Sequence, residues 1–252
     1  MAFDVAGDAY GRYMGRYSEP LAARFVEWLA PPVEAKALDV GCGPGALTAV
    51  LVERFGSAHV CAVDPSPTFR TALAQRLPGV DVREARAGEL PWDDATFELV
   101  LASLVVHFMP DPVAGLREMR RVTKPGGTVA VTVWDLAGHR APMSLLRQAA
   151  VQLDPDAPGE EGLPGARRHE LGGLLQQAGL QAVSEAELGV AVTYRSFDEW
   201  WEPYTLGVGP TGDYIHSLAP GQQEALRDRC RDRTGDGPFE VRATAWAARG
   251  RV

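Results

Sequence analysis

The sequence predicts an α/β fold in which helices cover both faces of a mostly parallel, doubly wound sheet. Short apolar segments alternate with helical segments from residue 36 onwards, and this alternation is typical of parallel strands joined by crossover helices. A glycine-rich turn follows the first apolar segment, at the sheet edge where such folds bind ligands. The chain has 252 residues, 46% of them hydrophobic, so we expect one domain with insertions over residues 1–252.

The apolar segments predict seven strands. They are Ala37–Val40, His59–Val63, Val80–Arg83, Glu98–Ser103, Thr128–Trp134, Ala182–Tyr194 and Phe239–Ala247. Segments with helical spacing predict helices at Ala46–Phe55, Ser66–Leu77, Pro112–Val122, Ala141–Val151 and Ala166–Ala178. Residues 154–165 are rich in Asp, Pro, Glu and Gly, which is typical of an exposed loop.

Two segments outside this alternation are predicted to be helical. The first is an N-terminal arm, residues 1–30, with its helix from Tyr10 and with Ser18 as a helix cap. The second is an insertion, residues 196–234, between the last two strands. We expect the two segments to form a lid over a ligand pocket, the alternative being that their aromatic residues anchor them as ordinary core. The aromatic residues concerned are Tyr10, Tyr13, Tyr17, Trp200, Trp201 and Tyr204.

Charge and composition exclude several classes of partner. The chain carries 25 Lys and Arg against 33 Asp and Glu, a net charge of −8, which disfavours binding to nucleic acid. Neither an apolar run of the ~20 residues that a membrane span needs nor a signal-peptide pattern is visible, so we expect a cytoplasmic protein. Cys42, Cys61 and Cys230 are scattered and fit neither a disulfide framework nor a metal site, so no metal is expected.

The strongest motif is the glycine-rich turn of residues 38–46, Leu-Asp-Val-Gly-Cys-Gly-Pro-Gly-Ala. It follows a predicted strand and opens a helix, and its glycines allow a sharp turn and close approach of a ligand. Asp64 follows Gly45 by 19 residues, at the end of the next strand. A carboxylate at that place can accept hydrogen bonds from ribose hydroxyls. The motif therefore predicts a cofactor that contains a nucleoside. Two kinds of nucleoside cofactor share this layout, and a dinucleotide is one of them.

Further motifs follow in order along the chain: Gly88–Trp92, Asp94–Val100, His107–Pro112 and Arg121–Gly127. Together with the glycine turn they resemble the class I S-adenosylmethionine-dependent methyltransferases, of the type that modifies small molecules in bacteria. The resemblance implies a Rossmann-like seven-stranded, mostly parallel sheet with an antiparallel last strand. It also implies a cofactor-binding core at residues 36–135, S-adenosylmethionine as cofactor and S-adenosylhomocysteine as product.

The resemblance places Asp39 and the glycine turn along the methionine part of the cofactor, and Asp64 on its ribose. The full implied set is Arg16, Asp39, Gly41, Cys42, Gly43, Pro44, Gly45, Asp64, Pro65, Ser66, Arg86, Ala87, Gly88, Ser103 and Leu104. Arg16 either pairs with the cofactor carboxylate or helps the arm to pack. Arg86 stands where similar enzymes have a carboxylate, and it either turns outward or stacks on the adenine.

Fewer residues are predicted to contact the methyl acceptor than the cofactor. His107 follows the fourth strand and is the candidate general base, the alternative being a structural histidine at the start of the next helix. The candidate acceptor contacts are Tyr13, Asp135, Trp200, Trp201 and Tyr204. For Asp135 the alternative is a cap or loop hydrogen bond, and for the aromatic residues it is core packing.

Methyl transfer by in-line attack on a sulfonium can rely mainly on proximity and orientation. A base is needed only for a neutral hydroxyl or a carbon acid. The run Ser103–Val106 lacks an Asn/Asp-Pro-Pro-Tyr/Trp motif, which disfavours methylation of amide or base amino groups. Oxygen, nitrogen and carbon acceptors otherwise stay open, as does a monomer or homodimer. The alternative functions are a nicotinamide-dependent oxidoreductase and a non-catalytic S-adenosylmethionine-binding protein.

Overall fold

The computed structural model describes residues 11–252, so Tyr10 and the rest of the predicted start of the arm lie outside it. The sheet has seven strands in the order β3-β2-β1-β4-β5-β7-β6. They are β1 Ala37–Val40, β2 Val60–Val63, β3 Asp81–Arg83, β4 Phe97–Ser103, β5 Thr123–Trp134, β6 Gln181–Tyr194 and β7 Phe239–Arg251. Strands β1 to β5 pair in parallel, and β7 runs antiparallel to both β5 and β6. The predicted fold class is confirmed.

Nine α-helices flank the strands in the described part of the chain. They are α1 Arg16–Leu29, α2 Ala46–Phe55, α3 Pro67–Arg76, α4 Pro112–Val122, α5 Ser144–Leu153, α6 Glu170–Gln177, α7 Phe197–Trp201, α8 Gly209–Ser217 and α9 Pro220–Thr234. Short 3₁₀ turns cover Ser57–His59, Val106–Phe108 and Glu202–Leu206, and a π-turn at Gly11–Gly15 precedes α1.

The order of the strands in the sheet explains where a ligand site must form. Strand β1 pairs with β2 on one side and with β4 on the other, so the strand order reverses there. All residues of β1 and β2 are buried, as expected for central parallel strands covered on both faces. The carboxyl ends of β1, β2, β4 and β5 meet at one edge, which is the ligand edge of doubly wound sheets.

Helix starts follow local capping chemistry. Ser66 caps α3 by accepting a hydrogen bond from the N–H of Phe69, and Asp111 caps α4 by accepting one from the N–H of Ala114. Ser18 was expected to act in the same way, but it lies inside α1, which the π-turn extends towards the N-terminus. The expected cap is therefore wrong, and Ser18 is free to take another role.

The arm contacts the insertion directly. The Arg12 and Arg16 guanidinium groups pair with Glu202 and Glu199 at 2.6 and 2.8 Å. The ring of Tyr13 meets that of Tyr204 edge to face, with centroids 5.2 Å apart. The described part of the arm thus packs directly against the start of the insertion.

Two further observations bear on the sequence-based expectations. Within residues 11–252, the helices lack the length and apolar character needed to cross a bilayer. In the same range no cluster of three or more His, Cys, Asp or Glu side chains has an arrangement that could hold a metal ion. Cys42, Cys61 and Cys230 are buried free thiols.

Candidate functional site

The turn between β1 and α2 is built on three glycines with positive φ angles. Gly41, Gly43 and Gly45 have φ values of 72°, 53° and 97°, a region that residues with a Cβ rarely adopt. The N–H of Gly41 donates to Val63 O at 2.8 Å, and the N–H of Gly43 donates to Asp64 Oδ2 at 2.9 Å. Because both amides already have partners, this turn suits close approach of a ligand better than capture of an anion.

The space beside these glycines differs from one to the next. A Cβ on Gly41 would lie 2.6 Å from a methyl group of Val105, so packing inside the protein requires glycine there. A Cβ on Gly43 would meet no atom of the described residues within 4 Å. Gly43 is therefore the position at which a ligand, and not the protein, can come close to the backbone.

Asp64, directly after β2, ties two loops together. Its Oδ2 accepts the bond from Gly43, and its Oδ1 accepts one from the N–H of Ser66 at 2.8 Å. Burial raises the pKa of this carboxyl, opposed by the two amide bonds and by Arg70. A carboxylate oxygen can accept more than one hydrogen bond, so both oxygens keep capacity for ribose hydroxyls.

Asp39 lies in β1 and is fully enclosed. Its Oδ2 accepts a hydrogen bond of 2.6 Å from the hydroxyl of Thr48 in α2. Burial raises the pKa of Asp39 to about 7, and the Thr48 hydrogen bond acts in the opposite direction. This carboxyl therefore changes its charge close to neutral pH.

A space of about 40 Å³ lies on the open side of the glycine turn, and we name it the loop cavity. Its lining is Ser18, Asp39, Gly41, Cys42, Gly43, Pro44, Ala46, Leu47, Ser103 and Leu104. Seven of these residues belong to the predicted cofactor set. The thiol of Cys42 packs against Ala62 and Leu73, so Cys42 contributes through its backbone.

Ser18 is a residue of the loop cavity that sequence reasoning missed. It is 6% exposed, and its Oγ is buried with no hydrogen-bond partner among residues 11–252. An unpaired buried hydroxyl is costly unless a ligand satisfies it. The available signal was its position, four residues after Met14 and three before Leu21, which places a polar residue on the apolar face of the helix.

Leu104 marks the boundary between the loop cavity and a second space. It follows β4 with a φ of 62°, a left-handed conformation that costs a residue with a side chain about 1–2 kcal/mol. Its N–H is held by Thr132 O at 2.9 Å. Strained residues of this kind cluster at functional sites, and Leu104 lines both cavities.

The second space, which we name the inner cavity, also has a volume of about 40 Å³. Its lining is Tyr13, Met14, Leu104, His107, Phe108, Trp134, Leu136, Met143, Glu160, Gly209 and Pro210. Two buried nitrogens of this lining, His107 Nδ1 and Trp134 Nε1, have no hydrogen-bond partner among the described residues. The inner cavity is thus mainly apolar but carries unused hydrogen-bonding capacity.

His107 lies in the 3₁₀ turn after β4 and is 8% exposed. Burial lowers its pKa to about 3. The imidazole is therefore neutral at physiological pH, and it is a much weaker base than an ordinary histidine. His107 lines the inner cavity together with Leu104, whereas its electrostatics do not favour a general base.

Asp135, a predicted acceptor contact, has hydrogen-bond partners within the protein, and its contact with an acceptor stays a prediction. Its carboxylate accepts hydrogen bonds from the N–H of Gly138, from Arg140 and from the indole of Trp246, at 2.9, 2.6 and 3.1 Å. It is 2% exposed and lines neither the loop cavity nor the inner cavity. Asp135 organises the loop after β5, as the alternative interpretation proposed.

Trp200, Trp201 and Tyr204, the other predicted acceptor contacts, line neither the loop cavity nor the inner cavity, and their contact with an acceptor stays a prediction. All three are buried, and they pack among themselves and with Phe197. The hydroxyl of Tyr204 donates to the carbonyl of Pro142 at 3.1 Å. They form the core that fixes the insertion, whereas Tyr13 does line the inner cavity.

Arg16 has partners within the protein. Its guanidinium pairs with Glu199 and lies over the ring of Tyr194, so the expected pairing with a cofactor carboxylate would have to displace an existing contact. Arg86 is exposed, and with Glu89 it closes a tight turn over residues 87–88 after β3. The adenine contacts of this turn, and of Pro65 and Ser66 after β2, stay predictions.

Comparison with known proteins agrees with the fold and the glycine turn. Residues 38–131 match the family model described as a methyltransferase domain. Over 140 residues, 56% of this chain and 54% of the relative, the chain is 38% identical to an uncharacterized methyltransferase of Mycobacterium tuberculosis. Over 110 residues, 42% of this chain and 43% of the relative, it is 36% identical to a trans-aconitate 2-methyltransferase of Azoarcus sp.. The chain thus spans about half the length of the curated relatives it matches.

The fold is shared with solved methyltransferases. A phosphoethanolamine N-methyltransferase of Haemonchus contortus, solved in complex with S-adenosyl-L-methionine, is similar with a TM-score of 0.57 at 14% identity, over 92% of this chain and 52% of that one. The methyltransferase-domain match over residues 38–131, the methyltransferases among the relatives and this shared fold together bear out the predicted resemblance to class I S-adenosylmethionine-dependent methyltransferases and its cofactor. The matched residues contain the glycine turn, Asp64 and Leu104.

Proposed function

We propose that this chain transfers the methyl group of S-adenosylmethionine to a small-molecule acceptor held in the inner cavity. The observation that carries the proposal is that the loop cavity and the inner cavity meet at Leu104. The loop cavity holds the glycine turn of the cofactor site, and the inner cavity offers apolar walls with unpaired polar atoms. Leu104 is therefore the place at which the sulfonium methyl faces the acceptor.

The mechanism requires little from the protein beyond orientation. The acceptor lone pair attacks the methyl carbon in line, the carbon–sulfur bond breaks, and its electron pair stays on sulfur to give S-adenosylhomocysteine. Holding the two reactants in this geometry can supply up to about 7–11 kcal/mol of the rate enhancement. The mainly apolar walls of the inner cavity limit the access of water to the reaction.

His107 acts in this proposal as a neutral hydrogen-bonding group that orients the acceptor. Its low pKa, caused by burial, makes proton abstraction at neutral pH unfavourable. The unpartnered Nδ1 can accept or donate one hydrogen bond, depending on the tautomer. The sequence-based proposal of a general base is thereby replaced by one of orientation.

The acceptors named for the relatives support a small molecule as the methyl acceptor of this chain, but they do not identify which molecule it is. The family match ends at residue 131, and Trp134, Glu160 and Gly209 of the inner cavity lie beyond it. The overlap with the trans-aconitate enzyme covers 42% of this chain. Acceptor choice therefore has to be argued from this chain's own cavity.

Titration calorimetry with S-adenosylmethionine, followed by measurement of S-adenosylhomocysteine formation with a panel of small acceptors, tests the proposal. We expect binding and acceptor-dependent turnover, and neither NADH nor NADPH should bind. Binding without turnover for any acceptor would favour the non-catalytic alternative, and absence of binding would refute the proposal.

Variants of His107 separate orientation from proton abstraction. We expect His107→Asn, which keeps a hydrogen-bonding group, to retain more of kcat/KM than His107→Ala. The profile of kcat/KM in the wild type should show no His107 inflection between pH 6 and 8. Equal losses in the two variants, or an inflection in this range that His107→Asn removes, would contradict the orienting role.

A further inference from the structure

Glu160 occupies a junction between the inner cavity and a neighbouring space. This outer cavity, of about 80 Å³, shares Leu136, Met143, Glu160 and Pro210 with the inner cavity. Among the described lining residues of the inner cavity, Glu160 is the single side chain with an ionisable carboxyl or cationic group apart from the neutral His107. It belongs to residues 154–165, which the sequence predicts to be an exposed loop, and the structure turns this part of the loop inward.

No hydrogen bond or ion pair to the Glu160 carboxylate occurs within residues 11–252. The neighbouring cation, Arg147, pairs through Nε with Glu161 Oε1 at 2.8 Å, and its buried Nη1 has no hydrogen-bond partner among the described residues. Burial, and then the negative charge of Glu161, raise the pKa of Glu160. His139 is the remaining basic residue of the outer cavity, and its interaction is with Glu161. A half-buried carboxylate that pairs with no counter-charge is unfavourable unless a ligand supplies a partner.

The rest of the inner cavity is suited to the same kind of ligand. Tyr13, Phe108 and Trp134 contribute aromatic rings, which attract cations as well as apolar groups. His107 is kept neutral by burial and adds no competing positive charge. Its unpartnered Nδ1 is a second polar contact, independent of Glu160, that points to a ligand.

We propose that the methyl acceptor is a small amine with an apolar body, whose nitrogen faces Glu160 between the rings of the inner cavity. This inference rests on the proposed function and names its substrate class. The free amine attacks the methyl carbon, the carbon–sulfur bond breaks towards sulfur, and the positive charge moves from sulfur to the methylated nitrogen. An amine that arrives protonated first releases that proton to solvent. Glu160 stabilises the cation that forms, so its carboxylate favours the direction of charge movement.

Matched ligands test this proposal. Amines, alcohols and carboxylates sharing phenylethyl, hexyl or indolylethyl bodies are titrated into the full chain in the presence of S-adenosylhomocysteine, and turnover is followed with S-adenosylmethionine. We expect at least one amine to bind about tenfold or more tightly than its alcohol and carboxylate partners and to be methylated on nitrogen. Glu160→Gln should reduce this preference to less than about threefold. Asp156→Asn, an equal change of charge on an exposed residue of the same loop, should leave it unchanged.

The outcomes separate this inference from the proposed function. Turnover of alcohols or carboxylates in preference to the amines would overturn the amine assignment while leaving the methyltransferase function intact. An amine preference that survives in Glu160→Gln would overturn the role of Glu160. That role would also be overturned if the wild type bound S-adenosylhomocysteine but none of the amines. Failure of the wild type to bind either form of the cofactor would refute the proposed function itself.

Discussion

Gly43→Ala is expected to weaken cofactor binding at least tenfold while leaving the fold almost intact. The φ of Gly43 is 53°, so alanine there pays a left-handed backbone cost of about 1–2 kcal/mol. No described protein atom lies within 4 Å of the position of the new Cβ, so no packing clash is added. The methyl group projects instead into the space along which the cofactor must approach the backbone.

The effect on affinity follows from contact distances. Non-bonded carbon atoms make their best contacts at about 3.5–4.0 Å, and a displacement of 0.5–1 Å already forfeits about a quarter to a half of each contact. A methyl group inserted between the backbone and the ligand displaces the ligand by at least this amount. We therefore expect a loss of at least tenfold in affinity, which corresponds to about 1.4 kcal/mol.

Gly126→Ala is the matched control. Gly126 has a φ of 78° and no described atom within 4 Å of its Cβ position, but it lies at the start of β5, at the opposite end of that strand from the ligand edge. Both variants should lose a similar free energy of unfolding in urea titration, and Gly43→Ala alone should lose affinity for S-adenosylmethionine by calorimetry. Wild-type affinity in a folded Gly43→Ala protein would refute the assignment of the glycine turn as the cofactor wall.

Further variants test other parts of the site. Asp64→Ala should weaken S-adenosylmethionine binding by about 1.5–3 kcal/mol for each charged hydrogen bond lost, and unchanged calorimetric affinity in a folded variant would contradict this. Ser18→Ala should weaken cofactor binding but not lower the free energy of unfolding of the ligand-free protein, since the hydroxyl has no described partner; lost stability with unchanged affinity would show a structural role. Burial raises the pKa of Asp39 in the folded state to about 7, so the folded state binds a proton more tightly than the unfolded state does. The free energy of unfolding should therefore fall as the pH rises from about 4 to 7. In urea titrations, the free energy of unfolding of Asp39→Asn should depend less on pH than that of the wild type. An equal dependence on pH in the two proteins would contradict the raised pKa of Asp39. If the arm and insertion open as a lid, hydrogen exchange in residues 11–18 and 198–216 should slow on cofactor binding, and equal rates would show that they are fixed core.

The parts of the fold that the sequence predicts well depend on local pattern. The glycine turn, the acid ending β2 and the strand–helix alternation are readable because each depends on residues close together in the chain. The hydrogen bonds of Asp135 could not be predicted from the sequence because its partners include Trp246, which lies 111 residues further on and has no local signature. Glu160 was missed because a loop rich in Asp, Pro, Glu and Gly has the composition of a solvated segment. Its inward turn depends on contacts with distant elements.

The two sides of Leu104 differ in how their polar groups are satisfied, and the difference matters for function. On the cofactor side, Asp39 and Asp64 already have hydrogen-bond partners within the protein, so this half of the site is organised before any ligand binds. On the acceptor side, His107 Nδ1 and the Glu160 carboxylate have no partner among the described residues. A preorganised cofactor half suits a ligand common to a whole family, because its chemistry never changes. An acceptor half that leaves polar groups unpaired binds tightly only the molecule that satisfies them. In the proposed function, selectivity therefore depends on His107, within the matched residues 38–131, and on Glu160, beyond them.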